Sequence, residues 1–332
     1  GGPIRAISRR AAQVHRKGRL AGPGGAAYGA GQAARRGHPM EALAKVFEVT
    51  APVVLIAAAG FVWARRGLDF PVDFITRLVM IVCMPALVFV ALTQSALGPG
   101  ALSQIALAAA AAYGALWCVI WALVRVTGLE RRTYLAPLVF GNTGNLGLPL
   151  ALFAFGTEGL GLAVVVFAVM VLWNFTLGIW AVADDSDLGR PLREPILWAS
   201  IGGMAALMLG WQPPVWAANT LELIGQPAIP LMLFTLGVAM ARLGTRQLGR
   251  AAGLSVVRLA ICLAVGVGAA TLFALEPVAF AVLVLQIATP VAVTSYLLAQ
   301  RFGADADAVA GLVIASTVLA VATMPALLAL LL

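Results

Sequence analysis

Two apolar stretches of this chain, each long enough to cross a bilayer, are interrupted near their middles. The first reads Leu138-Val139-Phe140-Gly141-Asn142-Thr143-Gly144-Asn145-Leu146-Gly147-Leu148-Pro149. The second reads Leu285-Gln286-Ile287-Ala288-Thr289-Pro290-Val291-Ala292-Val293-Thr294-Ser295. A backbone in lipid finds no hydrogen-bond partner outside itself, so a spanning segment closes into a helix. Glycine and proline weaken that helix from inside, and Asn, Gln and Thr side chains are costly in hydrocarbon. Such breaks are tolerable only where protein buries them or where they line a wet cavity. Matched breaks in the two halves of one chain are the sequence sign of a secondary carrier's binding site.

The rest of the sequence agrees with a membrane bundle. Only 11% of the 332 residues are charged, against about 25% in a soluble domain. The apolar runs lack the alternation of a β-barrel. They predict an all-α polytopic membrane protein of ten helices. Their approximate spans are 46–64, 72–94, 101–124, 133–156, 159–183, 195–210, 219–241, 251–273, 276–302 and 305–331. The connections are short, so one bundle with no soluble domain is expected.

The net charge of +8 is confined to one end. Residues 1–39 hold eight Lys/Arg and no acid, and the remainder is balanced. Nucleic acid is therefore not an expected partner. No apolar run in 1–39 reads as a signal peptide. This segment is expected to be a basic disordered tail or a non-native leader ahead of Met40. Cys83, Cys118 and Cys262 lie in apolar runs without metal or redox spacing. The histidines, His15 and His38, both fall in the tail. No metal ligands, cofactor or catalytic residues are expected, and the chain does not read as an enzyme.

Arginine placement orients the bundle. Arg65, Arg66, Arg77, Arg125, Arg131, Arg132, Arg190, Arg193, Arg242, Arg246, Arg250, Arg258 and Arg301 all fall on one side of the ten-helix reading. The positive-inside rule makes that side cytoplasmic. A multi-pass protein of the cell inner (cytoplasmic) membrane with both termini outside is expected.

The second half echoes the first. Pro85-Ala86-Leu87-Val88-Phe89 is matched by Pro230-Leu231-Met232-Leu233-Phe234, and Phe155-Gly156-Thr157-Glu158 by Phe302-Gly303-Ala304-Asp305. Five helices is an odd number, so the two units must be inverted. Residues 40–183 form the first five-helix repeat, 184–194 a cytoplasmic linker, and 195–332 the second repeat. Glu158 and Asp305 read as acids at helix N-termini. Pro85 and Pro230 are candidate kinks at matching places.

Broken helices four and nine, crossing near the midplane, would each aim a half-helix N-terminus at one polar spot. Each such terminus carries roughly half a positive charge. Together they favour an anion without a Lys or Arg, and no basic residue is expected near either break. Candidate substrate-binding residues are Asn142, Gly144, Asn145, Gln286, Thr289, Pro290, Thr294 and Ser295. Gly141, Gly147 and Pro149 join Pro85 and Pro230 as helix-breaking residues. Gln286 and Asn174 either line the cavity or bond between helices. Arg258 either snorkels or belongs to an inner anion-attracting vestibule.

These residues resemble the auxin efflux carrier family, which also holds bacterial malonate-transporter-like permeases. The resemblance rests on Phe140 to Pro149, on Met84-Pro85-Ala86-Leu87 and on Thr289-Pro290, and covers about residues 42–331. It implies crossing broken helices and an elevator-like division into scaffold and transport parts, as in bile-acid symporters and sodium/proton antiporters. It also implies that Asn142 and Asn145 contact the substrate carboxylate. The expected activity is secondary transport of small organic anions, mono- or dicarboxylates resembling malonate or auxin, by alternating access. A sodium-coupled symporter of the bile-acid type or a cation/proton antiporter is the alternative. The expected partners are the anion and the lipid bilayer. Coupling to protons or sodium and homodimer formation are left open.

Overall fold

Every long apolar run within the described residues is helical in the computed structural model, which describes residues 39–94, 97–183, 194–243 and 248–331. The tail 1–39, apart from Pro39, and the linker 184–194, apart from Glu194, lie outside the described residues. The helices are α1 (Pro39–Arg65), α2 (Val72–Thr93), α3 (Pro99–Val126), α4 (Arg131–Val139), α5 (Thr143–Ala183) and α6 (Pro195–Met208). They continue with α7 (Val215–Arg242), α8 (Leu248–Leu272), α9 (Pro277–Ile287), α10 (Val293–Phe302) and α11 (Ala306–Leu331). Seven of them are long and apolar enough to cross a membrane, and α6 and α9 are shorter apolar helices. With no strand among the described residues, the fold is all-helical.

Helix α3 shows how the sequence sets a face. Leu102, Ile105, Ala109, Ala112, Leu116 and Ile120 recur at helical spacing and are buried. Leu107, Val119 and Trp121 on other faces are exposed, as a lipid-facing surface allows. Proline starts the helix at N1, where a missing N–H costs nothing. Gly128, at φ 65°, turns the chain just beyond its end.

Prolines inside helices act differently from the sequence expectation. Pro149 does not sit in the break; the helix has already resumed at Thr143. The turn before it, Thr143–Gly147, is a π turn. Pro85 likewise follows a π turn, Val79–Cys83, by two residues. In both cases the widened turn answers the clash between a proline ring and the carbonyl four residues back. Pro230 is exposed and lies in the first turn of the second part of α7, Ala228–Arg242. The interruption of α7 is the turn at 226–227, so Pro230 begins a helix rather than bending one.

Helix α5 contains a sharp turn at Gly156, whose φ of 65° and ψ of −153° no helix accommodates. Glu158 follows it by two residues, in the first turn of the second part of α5, as expected of an acid at a helix N-terminus. Asp305 caps α11, its Oδ1 accepting the Ala308 N–H at 2.9 Å.

Helix α2 packs along α6 and α7. Helix α3 packs on α4, α5 and α8, while α8 packs on α9 and α11. Helices α4 and α9 are thus enclosed where they end. Near them, α1 and α7 meet backbone to backbone. A Cβ on Gly237 would fall 2.7 Å from the Ala57 carbonyl carbon, and one on Gly60 would fall 2.9 Å from that of Phe234.

Candidate functional site

Helix α4 stops at Val139 and α9 at Ile287, and the two extended segments that follow pair with each other. Gly141 and Val291 form an antiparallel bridge. The Asn142 N–H donates to the Pro290 carbonyl at 2.6 Å. Glycine is required at 141, because a Cβ would overlap the Thr289 side chain and stand 3.2 Å from Arg258 Nη2. The second break is also held by α11, where Ser316 Oγ accepts the Val291 N–H at 3.0 Å. Phe140 packs under the first break against Tyr113 and Trp117, with ring centroids 6.2 and 6.4 Å away. The N–H groups of Asn142 and Val291 therefore find partners inside the protein, as membrane depth demands.

The candidate residues do not all converge on one point. Gly141, Asn142, Thr289 and Pro290 meet at the paired segments, where Thr289 Oγ1 donates to the Gln286 carbonyl at 2.7 Å. Gly147 and Gln286 form a second contact across the two halves. A Cβ on Gly147 would lie 2.8 Å from Gln286 Cδ. Asn145 and Thr294 are half-buried on the resumed helices α5 and α10, beside buried Ser295. Gly144 instead packs against Phe167 and Met232. Pro85, Pro149 and Pro230 lie outside the paired segments.

Several buried polar atoms here have no hydrogen-bond partner: Asn142 Nδ2, Thr143 Oγ1, both amide atoms of Gln286 and Arg258 Nη2. Buried polar groups are ordinarily satisfied, so this cluster of exceptions sets the region apart from the rest of the bundle. The helices that resume after the breaks begin at Thr143 and Val293, and neither has a side-chain cap. Their first N–H groups lie at the breaks as well.

Arg258 corrects the expectation that no basic residue stands near the breaks. It does not snorkel: it is 2% exposed, and with Ser255, Ala288, Pro290 and Ser316 it lines a small pocket against the second break. Its Nε donates to the Leu138 carbonyl at 3.0 Å and its Nη1 to the Thr289 carbonyl at 2.7 Å. One guanidinium thus ties the ends of both interrupted helices. Its place was encoded in α8, where Ala251, Ser255, Arg258, Cys262 and Gly266 form the buried stripe. An arginine on an inward stripe of small residues does not reach lipid headgroups.

A cleft of about 330 Å³ opens beside the breaks, walled mainly by α1, α7, α11 and the start of α5. Its lining is apolar apart from Thr50 and Thr317. Thr317 follows Ser316, so α11 presents adjacent hydroxyls to the cleft and to the second break. No group of three or more His, Cys, Asp or Glu among the described residues is placed to hold a metal ion.

The sequence matches the membrane transport protein family over residues 45–187 and 179–328. It is 26% identical over 236 residues to a provisionally assigned malonate transporter of Rhizobium meliloti (strain 1021), covering 63% of this chain and 72% of that protein. It is 28% identical over 191 residues to an uncharacterized transporter of Methanothermobacter thermautotrophicus, covering 55% of this chain and 63% of that protein. With most of its length matched and its long apolar helices arranged as above, the chain is an integral membrane protein and belongs to the membrane transport protein family, that of the auxin efflux carriers.

Proposed function

We propose that this transporter moves small organic anions, mono- or dicarboxylates, by alternating access around the paired breaks. The observation that carries the reading is the joining of two interrupted helices by the Gly141–Val291 bridge and the Asn142–Pro290 hydrogen bond. Two uncapped helix N-termini and the unpartnered Asn142 amide beside that joint are donors of the kind a carboxylate accepts. The relative named for malonate supports a dicarboxylate among the substrates.

In the full architecture we propose, α4 with α5 up to Gly156 counts as one span, the rest of α5 as another, and α9 with α10 as a third. With the remaining helices this makes ten, a five-plus-five inverted repeat whose fourth and ninth members cross. The arginine bias supports a place in the cytoplasmic membrane with both termini outside.

The test is counterflow of labelled malonate and of labelled monocarboxylates in liposomes containing the purified protein. Wild type should accumulate label, and a variant carrying both Asn142→Ala and Asn145→Ala should not, although it inserts normally. Wild-type rates in that variant would move the site elsewhere. Failure of every carboxylate with wild type would overturn the substrate class.

A further inference from the structure

We propose that Arg258 is a positioning residue, the fixed countercharge that makes the paired breaks select anions; this deepens the anion-transport reading above and rests on it. Four helix ends meet at the breaks. Helices α4 and α9 finish there, and α5 and α10 begin there. Each beginning carries roughly half a positive charge and each finish roughly half a negative one. Alone, the four cancel, and such a joint prefers neither sign of ligand.

Arg258 breaks that balance. Its hydrogen bonds go to the carbonyl of Leu138, in the last turn of α4, and to that of Thr289, two residues beyond the end of α9. An arginine side chain brings one full positive charge. No Asp or Glu occurs in residues 138–150, 251–275 or 285–296, the segments that carry it and its partners. A buried cation without a carboxylate is costly, so the two carbonyl ends are what answers its charge. The negative ends are neutralised, and the uncapped starts at Thr143 and Val293 keep their positive field. The joint as a whole then carries about one net positive charge, by the half-charge rule. Nη2 remains without a partner, 3.2 Å from where a Cβ on Gly141 would stand.

A fixed charge on the protein and a mere space-filling clamp are separable by experiment. Full-length Arg258→Ala, Arg258→Lys and Arg258→Gln proteins are purified in detergent and reconstituted. Guanidinium chloride at millimolar concentration should raise the thermal midpoint of Arg258→Ala, urea at the same concentration should not, and wild type should respond to neither. Urea has a similar shape and hydrogen-bonding edge without the charge. In liposomes, the KM for malonate should rise about tenfold or more in Arg258→Gln with the maximal rate less affected, and Arg258→Lys should restore most of it. Equal rescue by urea, or a wild-type KM in Arg258→Gln, overturns the proposal. Should Arg258→Ala not fold, heat stability decides: Arg258→Lys above Arg258→Gln supports it, and the reverse order or equality overturns it. Absence of carboxylate transport in wild type defeats the substrate reading alone, because the guanidinium–urea comparison still reports on the countercharge.

Discussion

Ser316 Oγ takes the backbone N–H of Val291 at 3.0 Å, so a hydroxyl on α11 partners a donor released by the second break. Ser316→Ala leaves that N–H unpaired in a buried setting, at a cost of about 1–3 kcal/mol. A lowered thermal midpoint and faster hydrogen exchange at the Val291 amide are the expected results. Ser316→Thr, which keeps the hydroxyl, should recover most of the loss.

Gly147 touches the Gln286 side chain across the two halves. Gly147→Ala forces the methyl into that amide, and overpacking of this kind costs about 1–3 kcal/mol. Gln286→Ala should relieve the clash. Thermal unfolding of the two single variants and the double variant should therefore show strong coupling, and simple additivity would refute the contact.

Gly237 lets α7 approach the backbone of α1 at Ala57. A larger residue there must push the helices apart or fill the 330 Å³ cleft that Gly237 lines. Gly237→Leu is expected to lower stability and to slow transport more than Gly253→Leu, a substitution into open space. Thermal midpoints and counterflow rates measured side by side provide the check.

Asn142 separates stability from function. Its backbone N–H is committed to Pro290, while its Nδ2 has no partner. Truncating the side chain removes no hydrogen bond made by that nitrogen. Asn142→Ala should therefore keep its thermal midpoint within a few degrees, about the shift that 1 kcal/mol produces, yet lose carboxylate counterflow.

Local chemistry made the breaks legible in the sequence. Gly141, Asn142, Thr289 and Pro290 cannot continue an apolar helix comfortably, and the interruptions fall on them. The pairing of Gly141 with Val291 was less accessible, because register between two extended segments depends on how α4 and α9 are brought together. Pro149 was misread for a different reason: a π turn absorbs the proline without ending the helix. Snorkelling was the wrong reading of Arg258 because its bonds reach across 120 residues to Leu138 and 31 to Thr289. Its stripe of Ala251, Ser255, Cys262 and Gly266 was the overlooked clue.

A broken helix invites the picture of a loose joint that bends as a load passes. The bridge between Gly141 and Val291 argues for the opposite mechanical role. Backbone, guanidinium and serine fasten the two gaps into one rivet, so flexing there would have to tear several bonds at once in a medium that offers no replacements. Movement is cheaper along faces held by side-chain packing alone. Under the alternating access proposed above, the gaps would then travel as cargo of a stiff body rather than serve as its elbow.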